Sequence, residues 1–285
     1  MTESRTVRAA RRRETDTPPA PEPLTIPVLD SHTHLDIVGD GSPESARAGI
    51  AAARAVGVDR LVQVGCDVAS SRWGAALAEA EPGVLATVAL HPNEAPRVAD
   101  LDESLRVIEG LAALPRVRGV GETGLDTFRT GPDGAAAQER SFRAHIAIAK
   151  RFGKALVIHD REAHDDVLRV LDDEGAPDVV VMHCFSGDEA FARACISRGF
   201  VLSFAGTVTF KNAQDLRDAA MITPLTQMLV ETDAPYLTPM PYRGRPNASH
   251  LIPLTVRSLA STTAHDLDAL CHGISETGNR VFGPW

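Results

Sequence analysis

From Leu24 onward, short runs rich in apolar, β-favouring residues alternate along the chain with stretches of helical spacing. The runs cover 26–29, 60–64, 85–90, 117–121, 155–159, 179–183, 200–204 and 228–231. Helical spacing marks 43–56, 138–152 and 162–171; in the last, Ala163, Val167, Val170 and Leu171 fall on one face. Eight strand–helix units of this kind predict an α/β fold with a parallel sheet closed into a single (β/α)8 TIM barrel over residues 24–285. An open doubly wound sheet is the rival, but its Gly-x-Gly-x-x-Gly fingerprint is missing after the first run. Beyond the eighth run, 235–246 is a proline-rich loop, and 247–260 and 266–280 read as closing helices.

Where the apolar runs stop, chemistry begins. His32 and His34 follow the first run, and the two-residue period of a strand turns both rings to the same side, into the mouth of a barrel. Asp30 sits one layer deeper, where it would orient them. His159 and His183 finish the fifth and sixth runs, and Glu122 and Asp233 follow the fourth and eighth. A polar ring that ends a buried strand needs partners, and at the upper rim of a barrel those partners form the active site. Glu122 faces both histidine pairs, so its two oxygens could bridge two ions about 3.5–4 Å apart. Asp233 neighbours the first strand once the barrel closes, where it could ligate one ion and accept a proton from attacking water. Glu122 and Asp233 are therefore the candidate catalytic residues.

Two divalent ions, two carboxylates and four neutral imidazoles leave such a site at about +2, which favours an anionic substrate. Arg161 points the same way as His159 and could pair with a phosphate oxygen. His91, in Leu90-His91-Pro92, is placed near the substrate, and Lys211, Arg243 and Arg245 supply a local positive rim. His145, His164, His250, His265 and His272 fall in helical stretches and read as packing or surface residues. Imidazole with carboxylate suits zinc, manganese, iron, cobalt or nickel, with magnesium a poorer match for so many nitrogens, so the ligand types leave the identity of the ions open, with Mg, Mn or Zn expected.

Composition narrows the class. A formal charge of −9 argues against a protein that coats nucleic acid nonspecifically. No apolar run approaches the ~20 residues of a membrane span, so no membrane partner is expected. Cys66, Cys184, Cys195 and Cys271 lie far apart with no C-x-x-C pair, and read as reduced core thiols of a cytoplasmic protein. Residues 1–23 carry Arg5, Arg8, Arg11, Arg12 and Arg13 followed by a proline-rich stretch, and are expected to form a disordered arm. The arginines are not followed by the apolar segment of a signal peptide. They read as a solvated tail, the alternative being electrostatic reach toward nucleic acid.

Six motifs in order resemble the TatD family of metal-dependent deoxyribonucleases, within the amidohydrolase-like barrels. They are Asp-Ser-His-Thr-His-Leu (30–35), Gly-Glu-Thr-Gly-Leu-Asp (121–126), Ile-His-Asp-Arg-Glu-Ala (158–163), His-Cys-Phe-Ser-Gly (183–187), Val-Thr-Phe-Lys-Asn (208–212) and Glu-Thr-Asp-Ala-Pro-Tyr-Leu-Thr-Pro (231–239). The resemblance implies a metallo-dependent hydrolase holding two divalent cations. His32, His34, Glu122 and Asp233 would hold one, and Glu122, His159 and His183 the other. It further implies a 3′–5′ exonuclease on DNA, single-stranded or at 3′ ends, in repair or turnover, and the single domain suggests a monomer. Departures at Thr127-Phe128 and at 243–248 bear on substrate preference rather than on the metals. Two alternatives stand beside this reading: an amidohydrolase-type barrel acting on a small phosphoester or lactone, and a non-catalytic nucleic-acid-binding barrel.

Overall fold

A computed structural model describes residues 17–285. Eight strands run parallel in sequence order: β1 Val28–Thr33, β2 Val58–Val64, β3 Val84–Val88, β4 Val117–Asp126, β5 Ala155–Arg161, β6 Val180–Met182, β7 Val201–Phe204 and β8 Met228–Val230. Every adjacent pair from β1 to β8 is parallel. The ring closes through a parallel bridge between Thr33 and Ala234. There His34 N donates to Ala234 O at 2.9 Å and Asp233 N to His32 O at 2.9 Å. This is the expected barrel.

The helices are α1 Pro43–Arg54, α2 Val68–Ala80, α3 Leu101–Ala112, α4 Pro132–Phe152, α5 His164–Glu174, α6 Glu189–Ser197, α7 Gln214–Ile222, α8 Ile252–Thr263 and α9 Leu267–Phe282. Local chemistry starts several of them. The side chains of Ser42, Asp67, Asp100, Asp188 and Asp266 accept from backbone N–H groups in the first turns of α1, α2, α3, α6 and α9. Proline at the first position of α1 and α4 loses no helical hydrogen bond. Gly153, left-handed at φ 59°, ends α4. The core fills the barrel and the layer between strands and helices, with Leu29, Leu61, Leu85, Leu156, Ile158 and Phe204 wholly buried. No helix among the described residues is long and apolar enough to cross a membrane.

Three strands run past their apolar stretches. β1 continues to Thr33, β4 to Asp126 and β5 to Arg161, so the polar rim is itself strand and is held by the sheet. The expected arm, 1–23, falls mostly outside the described residues. Its last part, 17–23, is tied to the closing helices and the β8 loop rather than free. His250 Nε2 lies 3.0 Å from Pro18 O, and Arg245 and Arg257 donate to Thr17 O and Pro23 O at 3.2 and 3.1 Å. The physical reason is that carbonyls next to proline stay strong acceptors even where the segment has little to bury.

Candidate metal centre

Glu122 stands at the centre of the barrel mouth. Gly121 and Gly124 flank its segment, and both have positive φ, 158° and 134°. A Cβ at Gly124 would lie 2.1 Å from His159 O, and one at Gly121 would lie 2.5 Å from Val157. The two glycines therefore let β4 press against β5, and that approach brings the Glu122 carboxylate to His159.

The two carboxylate oxygens face different rings. Oε2 lies 3.4 Å from His32 Nε2 and 3.9 Å from His34 Nε2. Oε1 lies 2.7 Å from His159 Nδ1, 3.2 Å from His183 Nε2 and 3.3 Å from His91 Nε2. Asp233 Oδ1 adds to the first group, 3.3 Å from His34 Nε2 and 3.8 Å from His32 Nε2. Asp233 and Cys184 hold left-handed backbone, φ 53° and 43°, which is costly for residues with a Cβ and aims their side chains at the site. The mouth thus brings together His32, His34, Glu122, His159, His183 and Asp233, with His91 beside them.

Charge and burial match that geometry. Burial alone would raise the Glu122 pKa, but His183, His91 and His159 hold it well below the usual carboxylate range. Burial, helped by His183, lowers the His32 pKa. For His183, burial works against protonation, yet Glu231 and Glu122 raise its pKa well above the ordinary value. His32 is wholly buried and neither ring nitrogen has a hydrogen-bond partner among the described residues. Buried imidazole nitrogens without partners, beside two carboxylates, are the donor set of a divalent cation site, so the residues fit metal ions. Three groups bring three candidate ligand atoms within 4.8 Å of one another: His32, His34 and Glu122; His32, His183 and Glu231; and His91, Glu122 and His159.

Four supporting residues were not anticipated in these roles. Asp126 Oδ2 lies 3.3 Å from His159 Nε2, and its carboxylate accepts from Asn93 Nδ2 at 2.9 Å and Arg129 N at 2.7 Å. Glu231 Oε1 lies 2.8 Å from His183 Nδ1 and accepts from Cys184 N at 2.9 Å. Asn93 N donates to His91 Nδ1 at 3.0 Å, which leaves the proton of the neutral ring on Nε2. In that tautomer His91 faces Glu122 as a donor, although His91, Glu122 and His159 also form one of the groups that could hold a metal ion. Cys66 Sγ lies 3.7 Å from Glu122 Oε2 and 3.8 Å from His34 Nδ1. Sequence signals existed for two of them: Asp126 ends the 121–126 motif, and Glu231 lies one two-residue step from Asp233.

Several expectations need correction. Asp30 does not orient a histidine ring. Its carboxylate accepts from Thr232 N at 2.9 Å, Thr232 Oγ1 at 2.6 Å and His32 N at 3.3 Å, which ties β1 to the end of β8. Burial pushes its pKa up to about 7, against those hydrogen bonds. All four cysteines are free thiols, but Cys66 and Cys184 line the cavity instead of the core. Burial pushes Cys66 up to about 11.

The mouth opens into a cavity of about 760 Å³ whose wall includes His34, His91, Glu122, His159, Arg161, His183, Asp233 and Tyr236. Arg161 stacks on the Phe128 ring, its guanidinium carbon 4.1 Å from the ring centre. Lys211, Arg243 and Arg245 are not part of that wall. Lys211 is exposed, Arg243 lies over Phe210 at 4.4 Å and Arg245 over Tyr242 at 5.4 Å.

Comparison with known proteins agrees with this architecture. The sequence matches the family model for TatD related DNase over residues 29–283. It is 44% identical over 260 residues to a metal-dependent hydrolase, TatD, of Mycobacterium tuberculosis, covering 90% of this chain and 98% of that one. It is 36% identical over 200 residues to a protein of Cronobacter turicensis named 3′–5′ ssDNA/RNA exonuclease TatD, covering 69% and 74%. Among solved structures, YJJV, a TatD homologue of Escherichia coli, superposes with a TM-score of 0.83 at 26% identity over 90% of this chain and 97% of that one.

Proposed function

Since this chain belongs to the TatD family of metal-dependent hydrolases, we propose that it is a two-metal nuclease removing nucleotides from the 3′ ends of single-stranded DNA. The observation that carries the reading is the division of Glu122: one oxygen faces His32 and His34, the other His159 and His183. Two ions bound there, Mg, Mn or Zn, would supply the positive charge that phosphodiester hydrolysis needs at its attacking and leaving oxygens. Asp233, open to the cavity, holds the acceptor for a proton of the attacking water. Arg161 on the cavity wall pairs with a phosphate oxygen, and His91 donates through Nε2 toward the same space. The name of the Cronobacter turicensis relative supports single-stranded substrates and the 3′–5′ direction. We place the enzyme in DNA repair or turnover, working as a cytoplasmic monomer.

The test is shortening of a single-stranded DNA oligomer with magnesium or manganese by wild type and by Glu122→Ala. Stepwise loss of 3′ mononucleotides that needs both metal and Glu122 is expected. A metal-loaded wild type that leaves oligomers intact but hydrolyses a small phosphoester or lactone would replace this reading.

A further inference from the structure

The loop after β4 holds an aromatic ring out of the core. Phe128 is 57% exposed, whereas Phe142, Phe185, Phe204 and Phe282 are at most 3% exposed. One exposed phenylalanine alone means little. Here, however, the loop is fixed on both sides of the ring. Thr127 N donates to Arg161 O at 3.1 Å, Thr127 Oγ1 to Glu162 O at 2.7 Å, and Arg129 N to Asp126 Oδ1 at 2.7 Å. Asp126 is also the carboxylate against His159, so one side chain sets the ring's place relative to the proposed metal centre.

Arg161 connects ring and cavity. Its guanidinium lies over Phe128, it lines the cavity two residues after His159, and the described residues place no carboxylate in an ion pair with it. Many other arginines here, such as Arg47, Arg143, Arg169 and Arg198, pair with carboxylates. Across the mouth, the β8 loop presents Tyr236, 55% exposed on the cavity wall, with Ile37 beside it at 49%. β4 and β8 are opposite strands of an eight-stranded barrel, so aromatic rings flank the mouth on both sides.

We propose that Phe128, held by Arg161, is a stacking platform for a nucleobase next to the scissile phosphate. This inference rests on the nuclease reading and deepens it. The ligand must carry an anionic group for Arg161 and a flat π-face for Phe128, joined closely enough to span ring and metal centre, and a nucleotide of a single strand has both. In a duplex the base faces are already stacked on their neighbours, so the platform selects unpaired ends. A sugar phosphate or a lactone would leave the ring without a contact.

The experiment is a cycle crossing ring removal with base removal. Wild type, Phe128→Ala and Phe128→Trp, loaded with manganese, are given an intact single-stranded oligomer and two oligomers lacking the base on one or the other side of the terminal diester. In wild type, removal of the contacted base raises KM about tenfold or more. Phe128→Ala raises KM for the intact oligomer by a similar factor, shows no added penalty for the same abasic oligomer, and keeps kcat; Phe128→Trp restores the discrimination. Penalties that multiply, with the ring and both bases acting independently, overturn the platform. A wild type that shortens no oligomer overturns the nuclease reading beneath it, and the two failures are distinct because only the first shows turnover.

Discussion

His32 at the barrel mouth and His145 on α4 are both wholly buried imidazoles, yet their surroundings are opposite. His145 Nε2 accepts from Leu90 N at 3.1 Å, and Nδ1 lies 2.7 Å from Ser141 O. Each nitrogen has a backbone partner, and the ring fastens α4 to the end of β3. His32 has the same chemistry and no hydrogen-bond partner for either nitrogen among the described residues. An unpaired buried polar group costs about 1–3 kcal/mol, and the groups nearest His32 Nε2 are the carboxylates of Glu122 and Asp233, at 3.4 and 3.8 Å. The difference separates a histidine that completes the fold from one that faces the carboxylates of the barrel mouth.

The largest effects should fall on the mouth. Glu122→Ala is expected to abolish hydrolysis and to lower bound metal by more than about 100-fold in affinity, since it removes an oxygen from both proposed ions. His32→Leu sharpens the comparison. It should lose metal, yet its metal-free form should unfold at the same or a higher denaturant midpoint than metal-free wild type, because two unpaired nitrogens leave the interior. Metal analysis with denaturant unfolding decides; full metal content in His32→Leu would return His32 to the structural class.

The helical layer should respond to acid instead. Burial pushes His145 down to about 4, below the ~6.5 of an unfolded chain, so the unfolded state takes up the proton first. Its contribution to stability is present above about pH 6.5 and is lost as pH falls through about 4, at most about 3 kcal/mol. Unfolding of metal-free wild type and His145→Gln across that window should show the difference between them shrinking toward acid; a constant difference would mean that His145 is not buried neutral. His145→Leu at neutral pH should cost about 1–3 kcal/mol by leaving Leu90 N without a partner, with metal content unchanged.

The comparison also explains what the sequence made readable. Apolar runs located all eight strands, because burial on both faces of a barrel strand demands them. The same signal ended β1, β4 and β5 too early, since polar side chains take over where the strands enter the mouth. His32, His34, His159 and His183 were visible because each follows an apolar run. Lys211, Arg243 and Arg245, read as a positive rim, lie outside the cavity wall, and charge without a strand end does not fix a side chain's direction. Asp126 and Glu231 were overlooked because their work is done on another residue's far nitrogen, a relation that depends on the packing of neighbouring strands.

Glu231 offers the mildest test. Its Oε1, 2.8 Å from His183 Nδ1, favours a proton on that nitrogen, so that when an ion displaces the other proton Nε2 would be the ligand atom on the Glu122 side of the cavity. Cys184 N holds the same oxygen, so the carboxylate is fixed before any ion arrives. Glu231→Gln keeps the shape but weakens the acceptor, and should reduce affinity for the ion beside His159 and His183 about tenfold while sparing the one beside His32 and His34. Competition titration with a metal-sensitive chelating dye would resolve two affinities and show whether only one moves. Equal weakening of both would mean that Glu231 supports the mouth as a whole, and the division between the two faces of Glu122 would lose its meaning.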